Sequence, residues 1–219
     1  MLQSEAEKLN DLVDRETGQI EAMEEIIAVL DNLEEKHNSG ALDHDLAVQA
    51  FTKLKDEFPR EFADYELHYC GQTVVIPLVK SSLANWNNLL SGRNASLTHL
   101  TTFTQWRDIL DTGHGDDDYS HGDSESPMPA YHSLVWECWL PHVRLAVQRW
   151  HSREPQPLVS FLELWRPLLP DWILQHVLER LVLARLQAEV ELLAIIDCGV
   201  IIDFSFIHSD YSRWSCGTL

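Results

Sequence analysis

The sequence predicts an all-α protein: helical hairpins packed as an irregular array, led by one long N-terminal amphipathic, coiled-coil-like helix. Three observations carry this. Apolar residues recur at three- and four-residue steps, the period of an amphipathic helix. Short connections separate those runs and so imply antiparallel neighbours. Five of the eight tryptophans, Trp136, Trp139, Trp150, Trp165 and Trp172, fall between residues 135 and 191 beside leucines and valines. Tryptophan buries a large apolar area, so such a density marks a packed helical core or a docking surface.

Residues 1–40 read as one helix. Leu2, Ala6, Leu9, Val13, Ile20, Met23, Ile27 and Leu30 form a heptad-like seam, interrupted by Glu16, and Asn38-Ser39-Gly40 ends it. It either packs on the rest of the domain or offers a coiled-coil strand to a partner. Residues 41–111 form a second helical part. Asp43 is placed to cap a helix carrying Leu46, Ala47, Ala50, Phe51 and Leu54. Thr73–Val79 is β-branched enough for a strand, but Pro77 disfavours a central one, and a helix from about Pro77 to Leu90 is expected. A third apolar patch surrounds Trp106, Ile109 and Leu110.

Residues 112–130, TGHGDDDYSHGDSESPMPA, read as an acidic flexible linker. His114 and His121 with Asp116, Asp117, Asp118 and Asp123 carry metal-ligand chemistry, yet a site needs ligands held in place and nothing in this tract holds them. Residues 131–191 form the tryptophan-rich core. Trp136, Leu140, Val143, Val147 and Trp150 share one helical stripe, which Pro141 kinks or restarts. Leu158, Phe161, Leu162 and Trp165 make a short helix ended by Pro167 and Pro170. Asp171 is expected to cap the last helix, with Ile173, Leu174, Val177, Leu178, Leu181, Val182, Leu186 and Val190. Residues 192–219 form a divergent apolar tail.

Charge narrows the function. Sixteen Lys and Arg against 35 Asp and Glu give a formal net charge of -19. Nucleic-acid affinity comes mainly from basic residues displacing counterions, so direct DNA or RNA binding is disfavoured and basic protein partners fit better. The four cysteines, Cys70, Cys138, Cys198 and Cys216, form no CxxC pair, which suits a reducing compartment. The start, MLQSEAEKLND, lacks the apolar stretch of a signal peptide. No run reaches the roughly 20 apolar residues of a membrane span. No GxxxxGKS or GxxxxGKT, GxGxxG, GxSxG or HExxH motif occurs, and His132, His142, His151 and His176 have no partnered nucleophile. No catalytic residue, cofactor or metal is expected. The exposed subset of Trp136, Trp139, Trp150, Trp165 and Trp172 is the candidate protein-contact set, because interface hot spots favour tryptophan; the alternative is that most of them are core.

Three segments carry a family resemblance. VWECWLPHVRLAVQRW contains W-x-x-W-x-P-x-V-R from Trp136 to Arg144, LLPDWIL surrounds Trp172, and ARLQAEVE closes at Glu191. Together they resemble the GCFC domain (GC-rich-factor C-terminal domain), in the version found in septin- and tuftelin-interacting proteins. VVIPLVKSSLANWNNL, TQWRDIL and the N-terminal helix match more loosely, so the likeness covers residues 1–191. The resemblance implies a non-enzymatic nuclear scaffold among spliceosomal proteins. Such scaffolds act in intron-lariat disassembly with a DEAH-box RNA helicase, which a glycine-rich G-patch engages. These residues carry no such motif, so docking is what carries over. The resemblance also leaves a GC-rich-factor-like transcription regulator as an alternative; a generic coiled-coil adaptor is another. The tail after Glu191 departs from the family, as a truncated or mis-spliced product would. Leu181, Leu186 and Val190 are then expected to lack covering helices.

Overall fold

A computed structural model describes residues 2–84, 86, 93–111 and 127–197, and every regular element among them is helical. The order is α1 (Leu2–Asn38), α2 (His44–Glu57), α3 (Pro59–Asp64), α4 (Leu67–Leu83) and α5 (Arg93–Leu110). Then come α6 (Ala130–Leu134), a π-helical turn (Val135–Trp139), α7 (Leu140–Arg149), α8 (Gln156–Trp165) and a 3₁₀ turn (Arg166–Leu168). α9 (Asp171–His176), a second π-helical segment (Val177–Val182) and α10 (Leu183–Asp197) complete it.

The hub is α4, which packs on α2, α3, α5, α6 and the first π turn. Its sequence explains why. Leu67, Gly71, Val75, Val79 and Leu83 recur at every fourth residue, and all five are buried. That stripe overrides the strand propensity of Thr73–Ile76, since burial on a fitting surface decides more than β-branching does. The expected helix therefore starts ten residues earlier than Pro77 and ends at Leu83, and Pro77 lies inside it. Residues 85 and 87–90 of the expected helix lie outside the described ones. Gly71 lets neighbours approach closely: a Cβ there would sit 3.0 Å from Leu110 Cδ2 and 3.4 Å from Phe51.

One hydrophobic cluster runs from Ile26 to Val177, so the 41–111 and 131–191 parts share a core. Side-chain hydrogen bonds brace this core around α5, and the one from Arg107 crosses between the two parts. Lys55 Nζ donates to the carbonyls of Asp108, Ile109 (3.3 Å) and Asp111 (3.4 Å), closing the C-terminal end of α5. Arg107 donates to the Pro167 carbonyl, and Tyr131 Oη donates to the Leu168 carbonyl at 2.8 Å.

The first π turn reconciles Pro141 with helix continuity. Leu140 N–H reaches back five residues to the Val135 carbonyl, and Pro141 then sits in the first turn of α7. There its missing N–H leaves no gap in the ladder. Asp43 accepts from His44 N–H at 2.7 Å, as its cap placement predicted. Asp171 does not cap: it is the first residue of α9, Pro170 holds the cap position, and no side chain bonds there. Its carboxylate instead favours the helix through the N-terminal dipole. The patch around Trp106 belongs to an 18-residue helix.

The two halves of the long first helix differ in burial. Its second half packs through Ile26 and Leu33, with Met23, Val29 and Leu30 half-buried. From Glu5 to Glu21 every residue is exposed. At the other end, α10 runs past Glu191 to Asp197, so the expected tail begins as helix; residues 198–219 lie outside the described ones. So do residues 112–126, which hold the His and Asp of the linker.

Candidate protein-contact surface

The tryptophans sort into two sets. Trp139 and Trp165 are completely buried and Trp150 nearly so. Trp165 sits on α8 at a crossing of aromatic rings. Its centroid lies 5.2 Å from Phe103 and 5.6 Å from Trp86, both in the 41–111 part, and 5.7 Å from Trp139 and 6.0 Å from Phe161. Offset and edge-on ring pairs at such distances stabilise a core beyond their area. Trp150 Nε1 donates to the Glu154 carbonyl at 2.9 Å and closes the turn into α8. These three tryptophans are core, and they leave the contact set.

Trp136 and Trp172 remain half-buried. They stack with centroids 5.3 Å apart and planes 29° apart, and His176 meets Trp136 edge-on at 5.1 Å. Trp172 Nε1 donates to His132 Nδ1 at 3.2 Å, which fixes the outer ring. The pair is positioned by local structure: the π turn carries Trp136, and α9 carries Trp172 and His176 one turn apart. Sequence reasoning grouped all five because composition does not report which side of a helix faces out.

Further along, Leu178, Leu183, Leu186, Val190 and Leu192 are exposed, and Leu181 is half-buried. The expected uncovered face is thus present at Leu186 and Val190. Beside the aromatic pair, Lys80 donates to Glu137 at 2.7 Å, bridging α4 and the π turn. That bond raises the Lys80 pKa. The nearby thiol of Cys138 contacts the Ile76 carbonyl at 3.7 Å, and burial pushes its pKa up to about 12. A thiol so held is not a nucleophile at neutral pH. Cys70 is free and exposed. Among the described residues no three His, Cys, Asp or Glu side chains cluster to hold a metal ion. No described helix is long and apolar enough to cross a membrane.

The family model described as "GC-rich sequence DNA-binding factor-like protein" matches residues 45–197. The chain belongs to the GCFC family. The match runs through α10 and includes the six helical residues past Glu191, which the sequence reading had assigned to the tail. The chain is similar to tuftelin-interacting protein 11 of Bos taurus, at 32% identity over 87% of its length and 22% of the relative's. The same-named protein of Danio rerio is 34% identical over 77% of this chain and 20% of its own. That of Xenopus laevis is 30% identical over 87% of this chain and 22% of its own. This GCFC chain therefore spans about a fifth of the length of the relatives it matches.

Proposed function

We propose that this GCFC chain is a non-enzymatic nuclear scaffold in pre-mRNA splicing, acting with spliceosomal proteins at intron-lariat complex disassembly. The observation that carries the reading is family membership over the whole α2–α10 array, together with relatives named tuftelin-interacting protein 11. The geometry is compatible with docking: a rigid aromatic core holds the half-buried Trp136–Trp172 pair and an apolar face on the last helices at the surface. The DEAH-box helicase of this family enters as a member of the same assembly. Its stimulation is not assigned to these residues, which hold nine glycines and no glycine-rich motif. Affinity purification of the folded full chain from nuclear extract is expected to recover splicing factors; a clean purification that recovers none sinks the proposal.

A second reading comes from the family's printed description, which speaks of a DNA-binding factor. The net charge of -19 opposes it, because a phosphate backbone meets the same sign. A gel shift with GC-rich duplex at physiological salt separates the two readings, and tight binding there selects the second.

A further inference from the structure

The first half of α1 carries a seam that nothing in the described structure covers. Numbered as heptads, Val13, Ile20 and Ile27 take position a, while Leu9, Glu16, Met23 and Leu30 take position d. Leu9 is 60% exposed, Val13 59% and Ile20 59%, although each is large and apolar. Ile26 and Leu33 sit one position to the side, at g, and these are the residues that bury against the domain. The anchoring face and the open seam are therefore adjacent, and the anchor holds the seam outward. Most helix stability in proteins comes from packing an amphipathic face, so the exposed half gains stability from a second helix laid along it.

The charge says which helix. α1 carries eleven acidic residues against Lys8, Arg15 and Lys36, a net of -8. Glu24 and Asp31 occupy e, and Glu7, Asp14 and Glu21 lie beside them at b. A second copy is a poor occupant. In parallel register, Glu16 would meet its own counterpart in the buried d layer, and like charges cannot be buried unpaired without large cost. Antiparallel pairing would bring the acidic e side against itself.

We propose that this seam binds a basic amphipathic helix of another protein, with Leu, Ile or Val along its own seam and Lys or Arg flanking it. A basic side chain opposite Glu16 completes the layer that a second copy would disrupt. The proposal does not depend on the splicing reading, and its test uses purified components only.

The probe is a synthetic peptide of about four heptads with Ile and Leu at a and d and Lys at e and g. Its control carries Glu at e and g. The purified full chain is expected to bind the Lys peptide, more weakly as salt rises, and to ignore the Glu peptide. Ile20→Asp adds negative charge, so attraction through bulk charge alone would rise. Seam binding is instead expected to fall about tenfold, the loss of one buried isoleucine. Ile20 is exposed, and an unchanged circular dichroism spectrum verifies that the variant is folded. Equal binding of both peptides, or Lys-peptide binding that Ile20→Asp leaves intact, overturns the proposal. So does binding of neither, the result if residues 198–219 cover the seam. A chain dimer that Ile20→Asp dissociates also overturns it, by assigning the seam to a second copy.

Discussion

Replacing Trp165 with alanine tests whether one core serves the whole chain. A fully buried tryptophan removes about 150–250 Å² from water, worth roughly 4–6 kcal/mol at 25 cal/mol per Å². Denatured chains already hide part of that area, which lowers the loss to about 3–5 kcal/mol. Trp165 is 0% exposed and its ring meets Phe103 and Trp86 on one side and Trp139 and Phe161 on the other, so nothing can collapse cheaply into the gap. Trp136 makes one stacked and one edge contact and is half-buried, so Trp136→Ala is expected to cost about 1–2 kcal/mol. Total stabilities of domains run from about 5 to 15 kcal/mol, so Trp165→Ala removes a large fraction and Trp136→Ala a small one. Urea unfolding followed by far-ultraviolet circular dichroism measures both. Trp165 links helices on either side of the acidic tract, so the two parts are expected to unfold in one transition in both variants. If Trp165→Ala costs no more than Trp136→Ala, or uncouples two transitions, the shared core is refuted. Trp165→Phe is a finer probe. Trp165 Nε1 is buried with no hydrogen-bond partner among the described residues. Phenylalanine removes that donor, so its loss is expected to be well below that of alanine.

Three further outcomes follow from packing and charge. Gly71→Val is expected to lose about 1–3 kcal/mol by pushing on Leu110 and Phe51, whereas Gly71→Ala stays within about 1 kcal/mol because helix propensity offsets the contact; thermal unfolding of the pair checks the difference. Lys55→Met keeps the aliphatic stem but loses the bonds to the end of α5, and a loss of about 1–2 kcal/mol by urea titration is expected. His99 and His142 flank Trp86 at 5.1 and 5.8 Å, and burial lowers both pKa values below 6.5. Their neutral forms are the folded forms, so their contribution is intact above pH 6.5 and is lost as pH falls through that value toward the lowered ones. Melting temperature is expected to drop over that window in the parent chain and to drop less in the double variant His99→Gln, His142→Gln; equal slopes refute the assignment.

Helix class was legible because the three- and four-residue period is written in the apolar residues themselves, as at Trp136, Leu140, Val143 and Val147. α4 was read too short for a physical reason. Its stripe passes through the β-branched run Thr73–Ile76, which reads as strand by propensity and packs as helix in the fold. Pro77 likewise looked like a start and is interior, since neighbouring helices hold α4 in place around it. The tryptophans were found but not sorted. Trp139 and Trp136 are three residues apart in one segment, yet the π turn places one inside and one half out. A π turn shifts the register of every following side chain, and no local residue pattern announced it.

That sorting changes what a partner is expected to meet. With Trp139, Trp150 and Trp165 inside, the aromatic density stiffens the array instead of contacting anything. The apolar surface that remains is mainly aliphatic and helical: Leu9, Val13 and Ile20 on α1, and Leu178, Leu186 and Val190 on the last helices. Aliphatic seams on helices are read by other helices through i, i+3, i+4 spacing. The second face borders the shared core through Val177, Leu181 and Val182, whereas Leu9, Val13 and Ile20 lie on the exposed half of α1, which is anchored through Ile26 and Leu33. The surfaces differ in charge. The α1 seam lies on a helix of net -8, while the second face carries Glu179, Glu189 and Glu191 beside Arg180 and Arg185, with Arg185 paired to Glu189 at 2.7 Å. On charge alone, a basic helix is therefore expected to favour the α1 seam over the more nearly balanced second face.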